Sequence, residues 1–260
     1  MNTFTQRLVK FDILFEKVNL VHSHKDAVTV AVSLFNYANF VVECLNSILF
    51  QKHKHIEIIV VDDNSTKDNS TEVVKMWMEQ HQDKFDRLTL LKHQTNQGLA
   101  EARNTAFDYS RSDLVFVIDA DNMIYPRALN RLFEVMQQRE FDAAYTQLEH
   151  FGDVTQLGHS EVWNKRHFIN GNYVDAMALI SKRSWKHVGG YTHMEGGWED
   201  YDFWCKFVDN GMTAAYIPEI LCRYRVHGTS MLRKDTAPAT KRLMIEMIMR
   251  HPWLKLDTNF

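Results

Sequence analysis

Two aspartates one residue apart, Asp119 and Asp121, close the apolar run "LVFVIDAD". Moving a carboxylate out of water costs several kcal/mol or more unless a partner or a cation offsets it. Residues two apart in an extended chain point to the same side, so these two carboxylates repel each other unless a cation lies between them. Oxygen ligands of this kind suit Mg2+ or Mn2+, which commonly bridge a carboxylate to substrate phosphates. A solvated turn after a strand is the plainer alternative. Two more acid groups widen the question: "VVDDNSTKD", with Asp62 and Asp63, and "GGWEDYDFW", with Glu199, Asp200 and Asp202. Of Asp62 and Asp63, one can close the strand as a turn or cap while the other faces a ligand. Glu199 and Asp200 open a helical pattern, where acids complement the helix N-terminus. Either could instead take a proton from an incoming hydroxyl. His227, in "CRYRVHGTS", could complete a metal site. Arg103, Arg223 and Arg225 could hold phosphate oxygens by fork geometry, with surface ion pairs as the ordinary alternative.

The elements that must position these residues are legible as an alternation. "VTVAVSLFN", "IEIIVVDDNS", "LTLLKH" and "LVFVIDAD" read as strands; "FVVECLNSILFQ", "TEVVKMWMEQHQ" and "NQGLAEARNTAFDYS" read as helices between them. Strands that are apolar throughout and joined by helices imply a mostly parallel sheet covered on both faces. Such sheets take ligands beyond the carboxyl ends of their strands. Ser33, Asn36, Asp62, Asp63, Asp119 and Asp121 all fall at those ends. After Arg127 come the helix "ALNRLFEVMQQ", the strand "FDAAYTQLEHF", a loop-rich stretch with Asn170 and Asn172, and a last strand, "TAAYIPEILCRYRVHGTS". The alternation is less regular there, which predicts a mixed edge and loops.

Composition excludes several classes. The chain has 260 residues, 45% of them hydrophobic and 24% charged, with a net charge of −3, so no excess of Lys and Arg is available to track nucleic-acid phosphates. Three scattered cysteines form no C-x-x-C pair, which argues against a zinc knuckle or a disulfide framework. No run reaches the roughly 18–20 apolar residues that span a bilayer, and the N-terminus lacks the apolar core of a signal peptide. The chain therefore reads as cytoplasmic, with the inner face of a membrane as an open alternative.

Together these residues resemble the family 2 type of GT-A glycosyltransferases. The resemblance runs in chain order through "VAVSLFNYANFVVECLNSILFQ", "IEIIVVDDNSTKD", "NQGLAEARNTA", "VIDADN", "VGGY", "WEDYDFW" and "YRVHGTSM", and it covers most of the sequence. It implies a GT-A fold with a Rossmann-like, mostly parallel sheet. It also implies an inverting, metal-dependent (Mn2+ or Mg2+) transfer of a sugar from a nucleoside diphosphate, by family habit UDP, to a saccharide or lipid-linked acceptor, as in polysaccharide or glycoconjugate synthesis. By this resemblance Ser33, Asn36, Asp63 and Arg103 lie at the nucleotide. Asp119 reaches the ribose or the metal, and Asp121 and His227 approach the metal. Asp200 acts as base, Glu199 places the acceptor, and Trp198 and Tyr201 lie near it. The first strand ends "SLFN" where the family often carries a proline-containing turn, but Ser33 and Asn36 are present.

The organisation expected is a helical extension at residues 1–25, a GT-A domain at 26–235 divided into a nucleotide half (26–125) and an acceptor half (126–235), and a helical tail at 236–260. In the extension Phe4, Leu8, Phe11, Leu14 or Phe15, and Val18 recur at helical spacing. In the tail Leu243, Met244, Met247 and Ile248 share one face. Packing on the domain is the default for both; a partner subunit or a membrane surface is the alternative. Three rivals stand beside the transferase. A nucleotidyltransferase wants a glycine-rich phosphate loop that "SLFNYANF" lacks. A signalling receiver leaves the "WED" half unexplained, and an inactive nucleotide-sugar-binding or scaffold paralogue would share the fold without the chemistry.

Overall fold

The computed structural model describes residues 9–20, 22–138, 140–228 and 236–258. The first half runs β1 (Phe11–Val18), β2 (Val28–Leu34), α1 (Val41–Leu49), β3 (Ile56–Asp62), α2 (Ser70–His81), β4 (Arg87–His93), α3 (Leu99–Tyr109) and β5 (Leu114–Asp119). The second half continues with β6 (Met123–Ile124), α4 (Ala128–Met136), β7 (Ala143–Gly152), β8 (Gln156–Leu157), α5 (Lys165–Phe168), β9 (Ala178–Ser181), α6 (Lys182–His187), α7 (Glu199–Asp209), β10 (Ala214–Val226) and α8 (Ala237–Arg250). One mixed sheet follows the order β1-β4-β3-β2-β5-β9-β7-β10-β6, with β8 hairpinned on β7. β4, β3, β2 and β5 are mutually parallel. β9 is antiparallel to both β5 and β7, and β7 runs parallel to β10.

All seven residues of β2 and all seven of β3 are buried. Their alternate side chains feed two separate cores. Val30, Val32, Ile58 and Val60 pack with α1, α2 and α4 on one face. Ala31, Ile59 and Val61 pack with α3, α7 and α8 on the other. Fully burying each such aliphatic side chain contributes about 1.5–3 kcal/mol, so two-sided coverage is why these strands carry no polar alternation. The chain order reverses across β2, where β3 lies on one side and β5 on the other. That is the switch point at which open α/β sheets leave a ligand crevice. Ser33 pairs with Asp119 across it.

The N-terminal extension departs from expectation. Residues 11–18 form an antiparallel strand on β4, not a helix, with a bulge between Ile13 and Phe15. The bulge inserts an extra residue and breaks the period-two alternation, and this gives Phe11, Leu14, Phe15 and Val18 their helix-like spacing. Glu16 anchors the strand through Arg87 at 2.6 Å, and Arg87 reaches the buried Glu57 at 2.7 Å. Phe4 and Leu8 lie outside the described residues. The tail is helical only as far as Arg250, with residues 251–258 non-helical, and α8 buries Leu243 and Met247 completely against the second core. Cys44, Cys205 and Cys222 are free and buried. No helix among the described residues is long and apolar enough to cross a membrane.

Candidate active site

A cleft of about 1350 Å3 opens over the carboxyl ends of β2, β3 and β5, and Ser33, Asn36, Asp63, Arg103, Asp119, Asp121, Trp198, Glu199, Asp200 and Tyr201 all line it. Residues separated by more than 160 positions are brought together by the switch point on one side and by the head of α7 on the other. The sequence-predicted residues therefore converge, but their side chains divide into those that build the cleft and those that face it.

Asp62 and Asp63 both hold loops, Asp62 as the expected turn-closing acid and Asp63 at the cleft. Asp62 is fully buried; it accepts the Ser65 amide at 2.8 Å and the Thr71 hydroxyl, closing the turn into α2. Asp63 accepts the amides of Gln97 at 2.8 Å and Gly98 at 2.7 Å and meets His93 Nδ1 at 2.7 Å. Its carboxylate thereby shapes the loop ahead of α3, at the rim where a nucleotide was expected. Gly98 needs the left-handed region (φ +89°), and a Cβ there would meet the His193 ring at 2.6 Å. Asn36, at φ 57°, accepts the Thr66 and Lys67 amides at 3.1 and 2.9 Å and pins the two loops together.

The acid pair is held asymmetrically. Arg103, only 2% exposed, places Nη2 3.1 Å from both oxygens of Asp119 and Nη1 2.8 Å from Glu199. Burial alone would push this guanidinium down, but Asp119 and Glu199 outweigh it and hold it above its ordinary value. One guanidinium is thus shared by two carboxylates, Asp119 and Glu199, both of which line the cleft. Asp121 instead meets His227 Nε2 at 3.0 Å. Burial and then the neighbouring charge of Asp119 raise its carboxyl above the ordinary range, against the pull of His227. No group of three or more His, Cys, Asp or Glu that could hold a metal exists among the described residues. The protein-borne donor set is therefore the Asp121–His227 pair, one oxygen and one nitrogen. A pair of this kind fits a cation whose remaining positions are filled by substrate phosphates and water. Arg225 and Arg223, candidate phosphate holders, are occupied elsewhere: Arg225 binds the Asp121 carbonyl at 2.8 Å and Glu43 at 2.5 Å, and Arg223 binds Glu149 at 2.7 Å.

Across the cleft, α7 starts after three consecutive left-handed residues, Gly196, Gly197 and Trp198 at φ 93°, 114° and 67°. A tryptophan at positive φ is costly, about 1–3 kcal/mol, and here it presents the first turn of α7 to the cleft. Asp200 accepts Asn172 Nδ2 at 3.0 Å and its neighbour's amide at 2.8 Å. Burial, then the charge of Glu199, raises its carboxyl to about 7. A carboxyl poised near neutrality is suited to general-base work. Tyr201, expected near the acceptor, borders the cleft but is 1% exposed, and its hydroxyl is donated to the Phe168 carbonyl at 2.5 Å. Asp175 was not singled out in the sequence: it lines the cleft, and burial followed by the charge of Asp119 raises its carboxyl to about 6. No local signal marks it, since it is a lone acid in "YVDAMALIS". Arg242 and Met244 of α8 also line the cleft, so the tail is a wall of the site.

A fold of this topology with carboxylates at the switch point defines the GT-A class of transferases. The model of glycosyl transferase family 2 matches residues 29–184, and the chain belongs to that family. An uncharacterised glycosyltransferase of Nostoc is 39% identical over 110 residues, covering 42% of this chain and 33% of that protein. The chain spans about a third of the length of this relative and of the glycosyltransferase GlyG of Streptococcus pneumoniae, and 71% of an uncharacterised glycosyltransferase of Methanocaldococcus jannaschii that is 24% identical. Among solved structures, TarS of Staphylococcus aureus (residues 1–349, with UDP-GlcNAc) superposes with a TM-score of 0.68 at 18% identity, over 85% of this chain and 66% of that one. The mannosyltransferase PcManGT of Pyrobaculum calidifontis, with GDP-Man and Mn2+, superposes with a TM-score of 0.63 at 21% identity, over 86% and 62%. These likenesses show the fold.

Proposed function

We propose that this protein transfers a sugar from a nucleoside diphosphate to an acceptor hydroxyl with inversion, Asp200 acting as base. The observation that carries the reading is the Asp200 carboxylate. It is held by Asn172, raised to about 7, and lines the same cleft as Asp121, which meets His227 at 3.0 Å. The acceptor oxygen attacks the anomeric carbon as its proton passes to Asp200, and the bond from that carbon to the diphosphate oxygen breaks. Asp121 and His227 would hold a divalent cation, Mn2+ or Mg2+, which supplies charge neutralisation to the leaving diphosphate. Asp119, paired with Arg103, keeps the sheet end polar where a ribose would sit, beside Ser33. Asp63 and Asn36 shape the base pocket through the loops they pin. Structural neighbours that bind UDP-GlcNAc and GDP-Man support a nucleotide-sugar donor without choosing the base; UDP is the first to test. An acceptor saccharide, free or lipid-linked, would enter between Trp198 and α8, in keeping with a role in polysaccharide assembly.

The experiment is donor turnover and nucleotide binding on one preparation. Metal-dependent binding of UDP or GDP that is lost in Asp121→Ala, with sugar release slowed by about 100-fold or more in Asp200→Asn, supports the reading. Tight nucleotide-sugar binding without turnover, at any metal and with a panel of acceptors, favours the non-catalytic alternative.

A further inference from the structure

The end of α8 and the segment that follows it hold two elements that flank Asp200. On α7, two residues after Asp200, the fully buried Asp202 meets Arg250 Nε at 2.6 Å and His251 Nε2 at 3.0 Å. Burial alone would raise the Asp202 carboxyl; His251, Lys206 and Arg250 outweigh it and hold it well below its ordinary value. At the far end of the same helix, Asp209 meets His251 Nδ1 and Trp253 Nε1, each at 2.6 Å. Both ring nitrogens of His251 are thus spent on one helix, which they clamp at two points a little under two turns apart.

The same segment also holds the loop opposite. The Lys255 amide donates to the Ile169 carbonyl at 2.8 Å, and Lys165 stacks its ammonium 4.6 Å from the Trp253 ring. That loop carries Asn172, whose side-chain amide is the hydrogen-bond donor to Asp200. Leu254 and Leu256 are buried, and Leu256 reaches the cleft wall. Asp200 and its donor therefore sit on two separate elements, α7 and the loop after α5, and the residues from Arg250 to Leu256 contact both. The family match ends at residue 184, so α7 and the arm lie beyond it, while the loop that carries Asn172 lies within it.

We propose that the segment Arg250–Leu256 is a positioning arm for the transfer reaction, with Arg250, His251 and Trp253 as positioning residues that fix Asp200 against Asn172. The proposal rests on the reading of Asp200 as the base. Coupling of this kind needs a contiguous chain of contacts with a defined end, and here the chain is Asp202–His251–Asp209 and Ile169–Lys255, ending at Asp200 and Asn172. A shift of about 1 Å at a reacting group costs about 100-fold in rate, while the Asp121–His227 end of the cleft lies outside the arm's contacts.

The test compares the full-length wild type with Arg250→Ala/His251→Ala and with the milder His251→Gln and Trp253→Phe. Two readouts are taken. In the first, 13C-carboxyl NMR follows the titration of Asp200, identified by its absence in Asp200→Asn, among the groups that face it: Glu199, Arg103 and Asp175. The expected result is a midpoint that falls by at least about one unit in the double variant, as water reaches the loosened carboxylate, while metal-dependent UDP binding stays within about 2-fold. In the second, donor turnover falls by about 10- to 100-fold in kcat with donor KM within about 2-fold, and added imidazole restores part of the loss in His251→Ala. An unchanged Asp200 midpoint in a folded variant, or equal losses in kcat and in nucleotide binding, overturns the arm. Should the double variant fail to fold, His251→Gln and Trp253→Phe carry the same reading with smaller shifts. Absence of turnover in the wild type counts against the transferase reading and leaves the NMR result to decide the arm.

Discussion

Arg103 Nη2 lies 3.1 Å from both oxygens of Asp119. The first acid of the pair is thus paired inside the protein, and the second, Asp121, meets His227 and lines the cleft. This division sets what each residue is expected to do when changed.

Arg103→Ala strands Asp119 and the buried Glu199 without their partner. Removing one side of a buried ion pair costs about 3–5 kcal/mol, so the variant should unfold at markedly lower urea with an unchanged m-value. Arg103→Lys keeps the charge but loses the fork, and should recover only part of that stability.

Asp121→Ala and His227→Ala should weaken nucleoside diphosphate binding in Mn2+. The expected loss is about 10- to 100-fold, measured by calorimetry. In the presence of a chelator, wild type and variants should bind equally weakly.

The pH dependence follows from Asp200, whose carboxyl is raised to about 7 from an ordinary 3.8. Acting as base it must be ionised, so kcat should fall with unit slope as pH drops below about 7 and level off above it. Stability moves the other way. The folded carboxyl binds its proton more tightly than the unfolded one, so no cost exists below about pH 4, and stability is lost as pH rises from there through about 7. Asp200→Asn should be no more stable than wild type at pH 4 and more stable than it at pH 8, read by thermal unfolding.

Gly98→Ala should cost about 1–3 kcal/mol, through its positive φ and through the His193 ring. His193→Ala in the same chain should recover the steric part and leave the backbone part, a separation that a double-mutant cycle measures.

The sequence by itself determined the parallel core. Strands such as "VTVAVSL" and "IEIIVVD" can be buried on both faces by nothing other than helices on both sides, and their carboxyl ends had to carry the polar residues. Those local constraints also placed Ser33, Asp63, Asp119 and Asp121 at one sheet edge, while Asp200 came to the site only through the family resemblance. The N-terminal segment misled because a bulge between Ile13 and Phe15 imitates helical spacing, and pairing with β4 is a long-range fact that periodicity does not contain. What each carboxylate is free to do was likewise decided only by the tertiary structure. Asp119 and Glu199 are adjacent to no arginine in sequence, yet both are held by Arg103, and Tyr201 turns inward because Phe168 offers a carbonyl 33 residues away in the chain. Asp175 and the Arg250–Leu256 arm left no motif at all. Their roles come from burial and from contacts across the fold, which exist once the chain has packed and cannot be written in residue spacing.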